Sequence, residues 1–125
     1  MAAATRQKMM NDEVKRAMTP LSQPMLEQLL QNNVPNQPKI CMIYFTATWC
    51  GPCNGLPLDE ITSLNPEIHW FLCDIDENKY SSGYCGINSV PSFMAIVNGK
   101  PVQPLSSSTP SNIAKYIIHA SRLVK

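Results

Sequence analysis

The sequence has no surplus of either charge. Ten Lys and Arg face nine Asp and Glu, a net charge of +1. That balance offers no electrostatic grip on nucleic acid or an anionic membrane. Charge is also scarce, at 15% of residues against a usual ~25%, so the surface is expected to be neutral-polar. Long apolar runs are missing. The longest, Ile40 to Ala47 with Thr46 inside it, falls well short of the ~20 residues that span a bilayer. The start, Met1 to Ala4 followed by Arg6 and Lys8, lacks the apolar stretch of a secretory signal. There is no GxGxxG for a dinucleotide, no internal repeat and no low-complexity tract.

What is there suits one small packed domain. Apolar residues make up 44% of the 125, enough for a core. Eleven prolines cut the chain into short pieces. Five cysteines are an odd number, which leaves at least one unpaired and argues against a secreted disulfide scaffold. The expected compartment is the cytoplasm, where a cysteine pair points to chemistry or metal.

Residues 1–12 read as a flexible or helical extension, and 13–125 as the domain. Val14–Met18 suggests a short edge strand. Met25, Leu26, Leu29 and Leu30 have helical spacing, with Ser22 placed to cap the start. Ile40–Phe45 and Ile68–Cys73 are continuous apolar runs, as in strands buried on both faces. Asn54–Asn65 reads as a helix kinked at Pro57, and Glu77–Tyr84 as a short helix or turn. Ser92–Val97 reads as a third buried strand. Asn98-Gly99 predicts a hairpin turn, with Lys100–Leu105 pairing back. Thr109-Pro110 opens a last helix, whose Ile113, Ile117, Ile118 and Leu123 should meet the sheet. The order predicts an α/β fold, a mixed four- to five-stranded sheet with helices on both faces.

Trp49-Cys50-Gly51-Pro52-Cys53 stands where a buried strand passes into a helix. Two cysteines so spaced can close a small disulfide ring across the first turn. Unpaired N–H groups at the helix start favour a Cys50 thiolate, and such a thiol can fall from ~8.5 to ~7 or below. Cys53, one turn in, should be more buried and less acidic. The pair divides into an attacking and a resolving thiol. Half of a zinc site and a static disulfide are the other readings, but no second ligand pair accompanies the motif, and Cys85 and His119 lack partners at ligand spacing.

The pentapeptide resembles the active site of the thioredoxin family, and the resemblance extends from Val14 to Val124. Ala47 stands two residues before the Trp, as it does in that family. Val90-Pro91-Ser92-Phe93 resembles the family's cis-proline segment, and Asn98-Gly99-Lys100 its hairpin. The resemblance implies a thioredoxin fold and reduction of protein disulfides by dithiol exchange, with Cys50 as nucleophile and Cys53 as resolving thiol. Trp49, Gly51, Pro52, Val90 and Pro91 would form the substrate surface, and Asp76 would accept the Trp49 indole hydrogen bond. It implies no cofactor beyond the Cys50–Cys53 disulfide. Disulfide-containing client proteins and a separate reductase would be the partners, and the protein a monomer.

Several positions depart from that family. Tyr44 stands where most members bury an Asp, Leu72 where a Lys often accompanies it, and Asn54 where a basic residue commonly follows the second Cys. Pro57 comes one place early. The run Tyr44-Phe45-Thr46-Ala47-Thr48-Trp49 is similar to tryparedoxins and nucleoredoxins, which opens a different electron donor as an alternative. A binding module with vestigial redox activity is another. Without the buried Asp, Cys53 is expected to have a higher pKa than in members that carry it. Cys41 and Cys73 read as small core hydrophobes, and Trp70 and Phe71 as sheet packing. Tyr44 reads as core or, alternatively, a catalytic phenol. His69 and His119 read as surface or satisfied core residues, Asp59 and Glu60 as solvated helix charges. Cys85, in a loop six residues before Pro91, is the one free thiol with a possible regulatory role.

Overall fold

The computed structural model describes residues 3–125. Met1 and Ala2, the start of the expected extension, lie outside them. The chain begins with α1 (Ala3–Ala17), then β1 (Thr19–Pro20), α2 (Gln23–Leu30), β2 (Ile40–Thr46), α3 (Gly51–Asn54) and α4 (Leu58–Ser63). It continues with β3 (His69–Asp74), α5 (Lys79–Tyr84), β4 (Ser92–Val97), β5 (Lys100–Pro101), β6 (Leu105–Ser106) and α6 (Pro110–Arg122). The strands form one mixed sheet in the order β1-β3-β2-β4-β5, with β6 also paired to β4. β2 runs parallel to β3 and antiparallel to β4.

β2 is the central strand because its residues suit both faces. Ile40, Met42 and Tyr44 point into a cluster with Leu56, Leu58 and Ile61 from the α3–α4 region and Ile113, Ile117 and Ala120 from α6. Cys41, Ile43 and Phe45 point the other way, against Leu26 and Leu29 of α2. Period-two alternation with apolar residues on both sides buries the whole strand. Leu26 and Leu29 are fully buried, each contributing about 1.5–3 kcal/mol. Ser22 caps α2 as expected: its hydroxyl accepts from Met25 N at 3.2 Å. Asn98 and Gly99 both have positive φ, 51° and 81°, the geometry of a type I′ hairpin turn. A Cβ at Gly99 would lie 2.6 Å from that of Asn32, so glycine also lets the turn rest against the end of α2.

The structure corrects several expectations. Val14–Ala17 belongs to α1, and the edge strand is the two-residue β1 that follows. Val14 and Met18 face the core from that helix and its end rather than from a strand. The helix expected over Asn54–Asn65 is two helices, starting at Gly51 and interrupted between Asn54 and Leu58. Pro57 has no N–H to continue the ladder, so it breaks the helix rather than kinking it. The Lys100–Leu105 strand is split into β5 and β6, which raises the strand count among the described residues to six. Pro101 and Pro104 limit its ladder bonds. Ile118 and Leu123 are exposed, because the α6 stripe that reaches the sheet is Ile113, Ile117 and Ala120. Thr109 holds the N-cap position, but its side chain makes no capping bond.

Candidate functional site

The site forms where β2 ends. Cys50 N donates to Ala47 O at 3.1 Å, turning the chain. Cys50 is the N-cap of α3, with extended backbone (φ −78°, ψ 99°), and its Sγ accepts from Cys53 N at 3.2 Å. Pro52 fits the first turn because an N–H there has no helical partner anyway. Cys50 and Cys53 are joined by a disulfide, with a Cα–Cα distance of 5.3 Å. Sequence spacing suggested that Cys53 would be the more hidden sulfur residue. In this oxidised form both are buried, Cys50 at 2% exposure and Cys53 at 5%. The cause is a shared apolar shell of Ala47, Ile75 and Val90.

Around this shell the surface is open. Trp49 is 65% exposed, and Gly51 and Pro52 are exposed beside it. A Cβ at Gly51 would meet nothing within 4 Å, so the fold itself does not demand glycine there. Trp49 Nε1 donates to Asp76 Oδ2 at 2.7 Å. Asp74 Oδ1 in turn accepts from Asp76 N at 2.9 Å, and Ile75 N donates to Thr46 O at 3.0 Å. These bonds dock the turn after β3 beside the motif. On the other side the Val90–Pro91 peptide is cis, with Val90 half-buried and Pro91 buried.

Tyr44 lies in the core cluster with Leu56 and Leu58. It stacks on Phe93, ring centroids 5.2 Å apart and 16° between planes. Burial pushes its pKa up to about 12, against a small lowering by the Thr46 hydroxyl. No well-formed hydrogen bond joins the two, and Thr46 Oγ1 is left buried without a partner. Tyr44 therefore keeps its proton at neutral pH. Leu72 is half-buried against the same cluster. Burial raises the Cys41 thiol to about 11. Cys73 goes to about 12, through burial first and then the proximity of Cys85 and Asp74. Cys85 is half-buried at the C-cap of α5, and desolvation lifts it to about 11.

His69 and His119 are exposed, and the His69 ring shares a hydrogen bond with Thr19 Oγ1 at 2.8 Å. Asp59 and Glu60 occupy the first turn of α4, where carboxylates suit the dipole. Among the described residues no three His, Cys, Asp or Glu side chains gather as a metal site would need. One residue was missed at the sequence level. Asn11, inside the presumed extension, is only 3% exposed and reaches the C-terminal end of α3. Its signal was faint: Asn11, Val14 and Met18 share a helical spacing, but the first of them is polar.

The family model for thioredoxin matches residues 22–119. The chain belongs to the thioredoxin family. Thioredoxin 2 of Chlorobaculum tepidum is 32% identical over 90 residues, covering 70% of this chain and 83% of that protein. A thioredoxin of Chlorobaculum thiosulfatiphilum is 34% identical over 91 residues, covering 70% and 84%. The crystal structure of Fasciola hepatica thioredoxin superposes with a TM-score of 0.70 at 24% identity, covering 82% of this chain and 99% of that one. The thioredoxin fold and the bonded pair at Cys50 and Cys53 make this a thiol-disulfide oxidoreductase that reduces protein disulfides. α1 and Asn11 precede the segment that matches the thioredoxin model.

Proposed function

We propose that Cys50 is the attacking thiol and Cys53 the resolving one. The observation that carries this is the direction of one hydrogen bond: Cys50 Sγ accepts the Cys53 N–H. A donor aimed at sulfur favours the thiolate, and a thiolate is the attacking species. Cys50 thiolate attacks a client disulfide, forming a mixed disulfide and releasing one client sulfur as thiolate. Cys53 then attacks the Cys50 sulfur, the second client sulfur leaves and takes a proton, and the Cys50–Cys53 disulfide remains. Trp49, Gly51, Pro52 and Val90 present the client-facing surface. Backbone beside Pro91 pairs with an extended client segment as a short added strand. Asp76 supports this surface by holding the Trp49 indole.

The bonded form must be recharged by a separate reductase, and no cofactor besides the disulfide takes part. A reducing compartment such as the cytoplasm fits three free thiols in the same chain, and the protein acts as a monomer. The test is insulin reduction. With dithiothreitol as electron source the protein should accelerate insulin disulfide cleavage, and Cys53→Ser should accumulate a mixed disulfide on Cys50. Absence of both would leave a binding module. Supplying thioredoxin reductase or glutathione in place of dithiothreitol distinguishes the donors.

A further inference from the structure

We infer that Asn11 of α1 is a positioning residue for the resolving thiol. The reason begins with Pro57. In an unbroken helix Cys53 O would accept from the N–H of residue 57, which a proline lacks, and Asn54 O from that of Leu58. Leu58 N instead turns to Leu56 O at 3.0 Å. Cys53 O keeps only tighter, shorter-range bonds, from Leu56 N at 3.2 Å and from the Gly55 N–H, and the helical ladder of α3 ends there.

Asn11 braces the carbonyls of this broken turn, most closely that of Leu56. Its Nδ2 lies 2.7 Å from Leu56 O, 3.3 Å from Asn54 O and 3.5 Å from Cys53 O. Its Oδ1 accepts from Leu58 N at 3.4 Å. The carboxamide thus bridges both sides of the break. Gln7 Nε2, one turn earlier on α1, donates to the same Oδ1 at 3.0 Å. α1 packs on both α3 and α4, and Asn11 is its buried residue. A carboxamide is suited to this task because it offers two donors and an acceptor on one rigid plane.

The chemical consequence falls on the second step. Formation of the mixed disulfide needs only Cys50. Its resolution needs Cys53 held within reach of the Cys50 sulfur. Small misplacements of a reacting group cost up to about a hundredfold in rate. Removing the bridge loosens the segment that carries Cys53. The Cys53 N–H that caps Cys50 Sγ is loosened with it, but the larger loss falls on the step that needs the Cys53 sulfur itself in place.

The inference rests on Cys53 being the resolving thiol, so the experiment separates the two claims. Reduced full-length protein is mixed with a disulfide-bonded peptide and acid-quenched, and the mixed disulfide is followed by mass. Wild type should show little of it. Asn11→Ala should resolve it about tenfold or more slowly, with a smaller loss in the rate of forming it, so that it accumulates transiently. Peptide mapping must place the adduct on Cys50, since lowered fold stability alone would put it on the Cys41, Cys73 or Cys85 thiols that unfolding exposes. If Cys53→Ser traps the intermediate but Asn11→Ala resolves at the wild-type rate, the role of Asn11 is overturned. If Cys53→Ser traps nothing, the assignment of Cys53 fails first and the inference falls with it. Should Asn11→Ala not fold, the wild-type side-chain amide resonances decide. They should shift between oxidised and reduced protein, and identical resonances would overturn the proposal.

Discussion

Cys50 and Cys41 are almost equally hidden, at 2% and 0% exposure, yet Cys50 belongs to the disulfide and Cys41 is a free thiol. The difference is which way their sulfurs bond. Cys50 Sγ accepts an N–H. Cys41 Sγ donates to Pro38 O at 3.9 Å, and Cys73 Sγ to Asn78 O at 3.8 Å. A sulfur facing a donor is stabilised as thiolate, whereas a sulfur facing a carbonyl is held as thiol. The second pair sits in sheet strands, where backbone N–H groups are committed to the ladder. The first sits at a helix start, where they are not. Burial alone therefore does not identify an inert cysteine.

The most drastic way to break this contrast is to exchange the consequences of losing each sulfur. Cys50→Ser should abolish disulfide reduction and leave the fold intact, because a hydroxyl does not replace a thiolate here. Cys41→Ala should retain activity and lose about 0.5–3 kcal/mol of stability. Insulin reduction and urea unfolding on both variants check it, and an inactive, stably folded Cys41→Ala would undo the contrast.

Tyr44 tests whether the core beneath the site is chemically silent. Tyr44→Asp places a carboxyl where burial disfavours its charge, so its folded pKa is raised above ~3.9. The sign follows: the variant is least penalised below that pH and loses stability as pH rises through the folded pKa. Resolution should at the same time gain a new pH dependence. An unchanged pH profile for client release would show that this position does not communicate with Cys53.

A smaller effect sharpens the same point. The wild-type Tyr44 pKa is raised from 10 to about 12. Its contribution to stability is therefore complete below pH 10 and is lost as pH climbs towards 12, worth roughly 2–3 kcal/mol in order of magnitude. Tyr44→Phe should remove that part of the alkaline loss in pH-dependent unfolding and leave neutral-pH activity unchanged.

Much of this is legible in the sequence, and for local reasons. The Ser22 cap, the β2 run and the Asn98-Gly99 turn are each written in a few adjacent residues. The pairing of Trp49 with Asp76 spans 27 residues, and it followed from resemblance rather than from pattern. What was hidden depended on distance or on geometry after a break. The large apolar residues of α1 are only Met9, Met10 and Val14, so apolar spacing could not reveal that Asn11 anchors the helix. Pro57 was visible, but whether it bends or ends a helix depends on who receives the freed carbonyls. Part of that answer is local, in Leu56 N and Gly55 N, and part lies 46 residues away, in Asn11.

The central claim is that Cys50 and Cys53 form a working reducing couple. Its most direct test is the equilibrium reduction potential of that pair, measured against dithiothreitol or glutathione buffers. The expected result is a two-electron transition near the family's reference value of about −270 mV. A value near −120 mV, where a strongly oxidising member of the fold lies, would contradict a reductase.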